Sequence, residues 1–256
     1  MYEKAIGKYE KLLKEENASY SVRATEQYCN VRAKFYVYEI KKSGKKISDV
    51  EALMKKVIKD MESLISFSST LERLNILASS YKRYALISSS KKKQSAYENA
   101  ALYYRQSYYD TANKSRYYPL TNWLTIENAL VMAGLRKWGA TLKNYTMPKE
   151  DEALKMLQDE SDQIDKLSKE EMDYWDMGAK VNIKLCLLQL DPAHTEVKEV
   201  MSDFKALWEY AGSDGNLQTE IEQLEFLEDA LSMATPKKAK TVLDKIAAYR
   251  SFLEAL

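Results

Sequence analysis

The chain has few residues that could act as nucleophiles or soft metal ligands. Among its 256 residues there is one histidine, His194, and there are two cysteines, Cys29 and Cys186. A catalytic Cys–His pair would need a thiolate beside the imidazole, but the leucines around Cys186 predict a buried thiol. The cysteines form no C-x-x-C motif, so we expect two structural thiols in a reducing compartment. His194 follows Asp191-Pro192 in a predicted first helical turn, where we expect a structural role.

Sites for metals and phosphates are not indicated either. Bundle metal sites of the Glu-x-x-His kind cannot be assembled with a single histidine. The acidic run at 159–162 is expected to be a solvated helix surface. Neither common glycine-rich phosphate loop occurs in the sequence. The sequence therefore predicts no catalytic residue, no metal, no cofactor and no enzymatic activity.

Lysines gather in three clusters, at 41–46, 91–93 and 237–240. Each falls at a predicted helix end or link, and lysines at helix C-termini interact favourably with the helix dipole. The other interpretation is an anion or nucleic-acid patch, which the nearby tyrosines favour. The formal net charge of only +1 weakens it, because no global field attracts polyanions.

The elements that would position these residues are helices. The chain is 45% hydrophobic and has only seven glycines and four prolines, so long helices with short links are favoured over sheets. We expect about eleven antiparallel helices and essentially no strand. Apolar stretches are too short for a membrane span, and the N-terminus has no apolar signal core. These features predict a cytoplasmic protein with no membrane partner.

Local signals place several helix starts and ends. Capping boxes at 48–51, 69–72 and 168–171 predict three N-termini. The second helix is expected to stop near Gly44, which would serve as its C′ glycine. Asp191-Pro192 and Thr235-Pro236 predict the starts of the ninth and eleventh helices.

One helical pattern occurs twice. Tyr2-Glu3-Lys4-Ala5, followed by Tyr9, recurs as Tyr97-Glu98-Asn99-Ala100, followed by Tyr104. Small and aromatic residues at these spacings are typical of tetratricopeptide-like repeats, which stack because one helix pair cannot bury its own apolar face. We predict an irregular tetratricopeptide-like α-solenoid over 1–256 as a single domain, with sub-units 1–145 and 146–256. The first helix resembles the second helix of a repeat. We therefore expect that the chain is a piece of a longer protein, or that its first helix docks on a partner.

Several segments, in order along the chain, resemble a known family. They are Ala24–Arg32, Leu71–Arg83, Tyr117–Asn122, Tyr174-Trp175 and Glu222–Leu227. The chain is similar to the tetratricopeptide-type region of bacterial proteins linked to CHAT peptidases, which are caspase-like proteases. That region is related to the TRAF-binding regulatory region of apoptosis signal-regulating kinases. The resemblance implies an all-α scaffold that holds or regulates an effector in stress or antiviral-defence signalling, without proteolytic activity of its own.

The candidate binding residues come from the expected concave groove. In peptide-binding relatives, groove Asn, Lys and Arg side chains clamp a carboxylate. The tyrosine doublets at 103–104, 108–109 and 117–118 add aromatic candidates, about half of which should pack and half should be exposed. The predicted ligand-binding residues are Asn30, Asn75, Ser79, Lys82, Arg83, Tyr104, Tyr118 and Asn122.

Three functions remain open from the sequence. The leading one is a scaffold that binds a protein partner or peptide segment, such as a CHAT-type protease or its regulator. The second is nucleic-acid binding through the lysine clusters. The third is a small-molecule or enzymatic role in a pocket between helices, for which only acidic residues, tyrosines and one histidine are available. A homo-oligomer is compatible with each of them.

Overall fold

The protein is all-α, as the sequence predicted. The computed structural model describes residues 2–14, 22–110, 116–168, 170–192, 197–211 and 214–256. Within these ranges, β structure is limited to one isolated bridge, between Thr141 and Thr146. The eleven helices described there fall into two compact units, Met1–Ala112 and Asn113–Leu256. The assignment of the whole chain to one domain, with sub-units divided after residue 145, stays a prediction.

The first unit contains five helices. They are α1 (Tyr2–Leu12), α2 (Val22–Ser43), α3 (Ile47–Phe67), α4 (Leu71–Leu86) and α5 (Ser90–Asp110).

Helix α4 is the central helix of this unit and contacts α2, α3 and α5. Near its end, Tyr84 Oη donates to Glu51 Oε1 at the start of α3, over 2.8 Å. Near its start, Asn75 Oδ1 accepts from Ser107 Oγ at the end of α5, also over 2.8 Å. The helix is therefore antiparallel to both neighbours. Because α2 contacts both α3 and α4, the α2–α3 and α4–α5 hairpins stack as successive repeats.

The recurring pattern of small and aromatic residues lies in the core of α5. Tyr97, Ala100 and Tyr104 are completely buried there. Their counterparts in α1, which packs against α2, are only half-buried. The same pattern therefore forms a core in one place and a partly exposed helix face in the other.

The second unit contains six helices. They are α6 (Tyr117–Met132), α7 (Glu150–Ile164), α8 (Tyr174–Leu190), α9 (Val197–Ala211), α10 (Asp214–Leu231) and α11 (Pro236–Leu253). Helix α6 contacts α7, α8 and α10, and most of its residues are buried.

A buried carboxylate on α6 holds the irregular segment 133–149 in place. Arg136 Nη1 donates to Glu127 Oε2 over 2.6 Å, and the Tyr145 hydroxyl donates to Glu127 Oε1. Trp123 Nε1 donates to the same oxygen from the preceding turn of α6, over 3.3 Å. Glu127 is completely buried, so these bonds replace the hydration that the carboxylate loses.

Two of the predicted helix boundaries are confirmed. Gly44 has a φ of +68° immediately after α2, where the left-handed conformation strongly favours glycine. Thr235 precedes α11, with Pro236 in the first turn. None of the described helices is long and apolar enough to cross a membrane.

The capping boxes were less accurate. Helix α3 begins one residue before Ser48, so the predicted box there is wrong. Thr70, rather than Ser69, caps α4 by accepting from the N–H of Arg73 over 3.3 Å. The Ser168 N–H does donate to Glu171 Oε2 over 2.9 Å, but α8 begins only after Asp173. Residues 193–196, where the ninth helix was predicted to start, lie outside the described ranges.

Candidate functional site

Three predicted residues meet between α2 and α4 of the first unit. Arg83 extends back along α4, and its Nη1 donates to Ser79 Oγ one turn earlier, over 3.1 Å. The same nitrogen donates to Asn30 Oδ1 on α2, also over 3.1 Å. Ser79 is buried, whereas Asn30 and Arg83 are half-buried. Two neighbouring helices therefore hold one guanidinium at their shared surface.

The rest of this guanidinium is available to a ligand. Nε and Nη2 of Arg83 form no hydrogen bond with the part of the chain that the structure describes, and no carboxylate there pairs with Arg83. These two nitrogens form the planar fork that binds a carboxylate through two parallel hydrogen bonds. Asn30 and Ser79 are neutral, so they orient the cation without neutralising it. The arrangement suits a carboxylate ligand.

The other groove candidates on α4 are engaged in packing. Asn75 is half-buried and accepts the hydrogen bond from Ser107 on α5. Lys82 is only 8% exposed, so it is not on an open groove. Adjacent helical residues point about 100° apart, which explains why Lys82 enters the packed interior while Arg83 reaches the surface.

The aromatic and amide candidates are divided in the same way. Tyr104 is completely buried and contributes to the core of the first unit. In the second unit, Tyr118 is 38% exposed at the start of α6. Asn122 is buried, and its Nδ2 donates to the Tyr118 carbonyl one turn earlier, over 2.8 Å. Tyr118 is therefore the accessible member of these three.

Sequence reasoning missed the polar contacts beside the Arg83 site. Arg73 Nε of α4 lies 2.6 Å from Glu26 Oε1 of α2, in a largely buried ion pair. Gln27 Nε2 donates to Glu72 Oε1 over 3.0 Å. Glu26 and Gln27 belong to the segment that carried the family resemblance, but only the packing of α2 on α4 shows these contacts. Glu26 gives Arg73 a counterion, whereas no carboxylate of the described residues pairs with Arg83.

Two of the lysine clusters lie at one end of the first unit. Lys92, at the start of α5, contacts Glu51 Oε1 at the start of α3, over 2.8 Å. Lys55 contacts the same oxygen, and hydrogen bonds from Lys55, Lys92 and Tyr84 lower the pKa of Glu51 to about 2. Lys45 pairs with Glu39. This end is therefore rich in lysine but partly neutralised.

The candidate catalytic groups show no activated pair among the described residues. Cys29 and Cys186 are both buried free thiols. Burial raises the pKa of Cys29 to about 11 and that of Cys186 to about 12, which opposes thiolate formation. His194 lies outside the described ranges. Within those ranges, no group of three or more His, Cys, Asp or Glu residues could hold a metal ion. The acidic run contains one buried member, Glu160, contrary to the expected fully solvated surface.

Comparison with known proteins supports the repeat assignment for the first half of the chain. Residues 1–127 match the family described as Tetratricopeptide Repeats-Sensor. Comparison with curated proteins and with solved structures found no match. A tetratricopeptide-like domain is therefore present in this part of the chain, and such domains in general mediate protein–protein interaction.

Proposed function

We propose that this protein is a non-catalytic interaction scaffold whose first unit binds a carboxylate-bearing segment of a partner protein through Arg83. The observation that carries the proposal is the open Nε/Nη2 fork of a half-buried guanidinium, which Asn30 and Ser79 hold in place. A carboxylate from a peptide C-terminus, or from an Asp or Glu side chain, would complete its hydrogen bonds. The family match over residues 1–127 supports the scaffold role.

The test uses peptides rather than a cell extract. A displayed library with free C-termini is selected against the full chain, and each binding peptide is resynthesised both as the free acid and as the amide. A charge-assisted hydrogen bond contributes about 1.5–3 kcal/mol, so Arg83→Gln should weaken acid binding by about 10- to 100-fold. Arg83→Lys keeps the charge but removes the fork, and it should recover only part of the affinity.

A matched control separates this site from general electrostatics. Lys59 is an exposed cation on α3, so Lys59→Gln removes the same charge elsewhere and should leave binding unchanged. Thermal melting should show that Arg83→Gln remains folded, because it loses only two hydrogen bonds to neutral partners. Peptides that bind the wild type and Arg83→Gln equally would refute the assignment of the site.

The family resemblance also suggests the class of partner. We propose that the bound protein is a CHAT-type protease or a regulator of one, and that the complex acts in stress or defence signalling in the cytoplasm. The two free thiols support a reducing location. Affinity capture from the native host should retain such a protein on the wild type and lose it on Arg83→Gln. Equal recovery on both chains, or recovery of unrelated proteins only, would contradict this partner class.

Nucleic-acid binding is a second candidate, favoured by the two lysine clusters that share one end of the first unit. Fluorescence anisotropy with single- and double-stranded RNA and DNA would show affinity that falls steeply with salt. Absence of binding at low salt would eliminate it.

A further inference from the structure

The second unit contains a pocket that the proposed scaffold function does not use. It lies between the ends of α8, α9, α10 and α11, and it encloses about 230 Å³ including its open mouth. Its main lining residues are Tyr174, Phe204, Trp208, Leu217, Glu220 and Leu253. The enclosed part of this space is only about 10 Å³, which is room for one group about the size of a water molecule, such as an ammonium head group.

A single acidic side chain lies in this apolar lining. Glu220 is only 7% exposed. Its Oε1 accepts a hydrogen bond from the Tyr174 hydroxyl over 2.9 Å, and no lysine, arginine or histidine of the described chain pairs with it. Burial raises the pKa of Glu220 to about 7, and the bond from Tyr174 opposes the rise only in part. The site therefore holds a desolvated carboxyl group with no cationic partner among the residues that the structure describes.

The other groups around Glu220 are neutral at physiological pH. The lining residues from α9 and α11 are apolar or aromatic. From α8, only Tyr174 faces the carboxylate, and burial and the carboxylate both raise the pKa of that phenol. From α6, Tyr117 interacts with Tyr174. A buried anion is strongly stabilised by an adjacent cation, so a positively charged ligand would suit this pocket.

We propose that the pocket binds a primary alkylammonium group, with the Glu220 carboxylate as its ionic partner. Phe204 and Leu253 would contact the alkyl chain, and the rings of Tyr174 and Trp208 would add cation–π attraction. Trp175 is 61% exposed and packs edge-on against Tyr174 with ring centroids 5.1 Å apart, so it offers further aromatic surface next to the pocket. The ammonium group could come from a free amine or from a lysine side chain.

The experiment titrates the full chain with two probes, butylammonium chloride and the capped peptide acetyl-Gly-Lys-Gly-amide. Binding is followed by tryptophan fluorescence and calorimetry, with butanol as the uncharged control. Saturable binding of butylammonium alone identifies a free amine as the source. Tighter binding of the peptide identifies a lysine side chain. Butanol, which carries no charge, should bind weakly and should not displace butylammonium. Absence of saturable binding by both charged probes would overturn the proposal.

Variants and pH test the role of Glu220 directly. Glu220→Gln keeps the shape and should weaken binding of the ammonium probe at least tenfold. Glu220→Asp should retain the fold but bind more weakly, because its carboxylate is displaced. Glu222→Gln, two residues further along α10, is the matched control and should bind as the wild type does. Since deprotonated Glu220 is the binding form, affinity should rise about tenfold from pH 6 to pH 8. Equal binding by Glu220→Gln, or a flat pH profile, would overturn the assignment.

Discussion

Glu220 should make the second unit less stable as the pH rises. Its pKa is raised from 4.5 to about 7 in the folded chain, so between these values the folded state binds more protons than the unfolded state. The free energy of unfolding must then decrease with pH in this window. The penalty is absent below pH 4.5, grows through pH 7 and is complete above it, when it reaches about 3 kcal/mol. Between pH 5 and pH 8 the expected loss is about 2–3 kcal/mol.

Tryptophan fluorescence is a selective probe for this measurement. All four tryptophans, Trp123, Trp138, Trp175 and Trp208, belong to the second unit. Urea unfolding followed by tryptophan emission therefore reports the unit that contains Glu220. The assay gives the free energy of unfolding at pH 5, 6, 7 and 8 without added amine, because an ammonium ligand would lower the pKa and mask the effect.

The comparison needs two variants. Glu220→Gln cannot titrate, so its free energy of unfolding should fall by about 2–3 kcal/mol less than that of the wild type between pH 5 and pH 8. Glu222→Gln should follow the wild-type curve, since Glu222 is only half-buried and does not line the pocket. Parallel curves for the wild type and Glu220→Gln would refute the reasoning, because they would mean that burial does not shift the Glu220 equilibrium.

Two further predictions concern buried groups. Glu127→Ala leaves the Arg136 guanidinium buried without its carboxylate. Urea unfolding should therefore show that the free energy of unfolding falls by about 3–5 kcal/mol. The control Asp151→Ala, on the exposed face of α7, should change this free energy little. Cys29 and Cys186 should react with a thiol reagent only on unfolding, because both are buried and their pKa values are raised; rapid labelling of the native chain at pH 7 would contradict their burial.

Local sequence signals predicted the existence of the helices better than their first residues. Gly44 and Pro236 marked boundaries correctly because their backbone preferences act without tertiary contacts. Serine signals were weaker, since a serine can bond locally inside or outside a helix. Ser48 lies within α3 and donates to Asp49. In the predicted box at Ser168, the N–H of Ser168 does bond to Glu171, but this bond lies in a turn that precedes α8.

The candidate site was predictable in composition but not in arrangement. The sequence supplied Asn30, Ser79 and Arg83 as polar residues expected to face a concave groove. It could not choose Arg83 over Lys82, because the two positions differ by about 100° around α4 and that helix packs against three others. Nor did it mark Glu220, which follows Thr219 in an ordinary acidic helix. Its spacing from Leu217 and Leu224 does place it on the apolar face of α10, but spacing does not reveal which groups from other helices surround it.

The sequence by itself determined the helical class, the scarcity of catalytic groups and the repeat-like spacing of α5. These depend on backbone preferences, composition and a 3.6-residue period, which act over one or two turns. Tertiary structure alone decided which charged groups are paired and which are not. Within the described ranges, Arg73 meets Glu26, whereas the hydrogen-bond partners of Arg83 are neutral and that of Glu220 is a tyrosine. The physical reason is that the ionic partners of a side chain, and the water it loses, are set by helices distant in sequence.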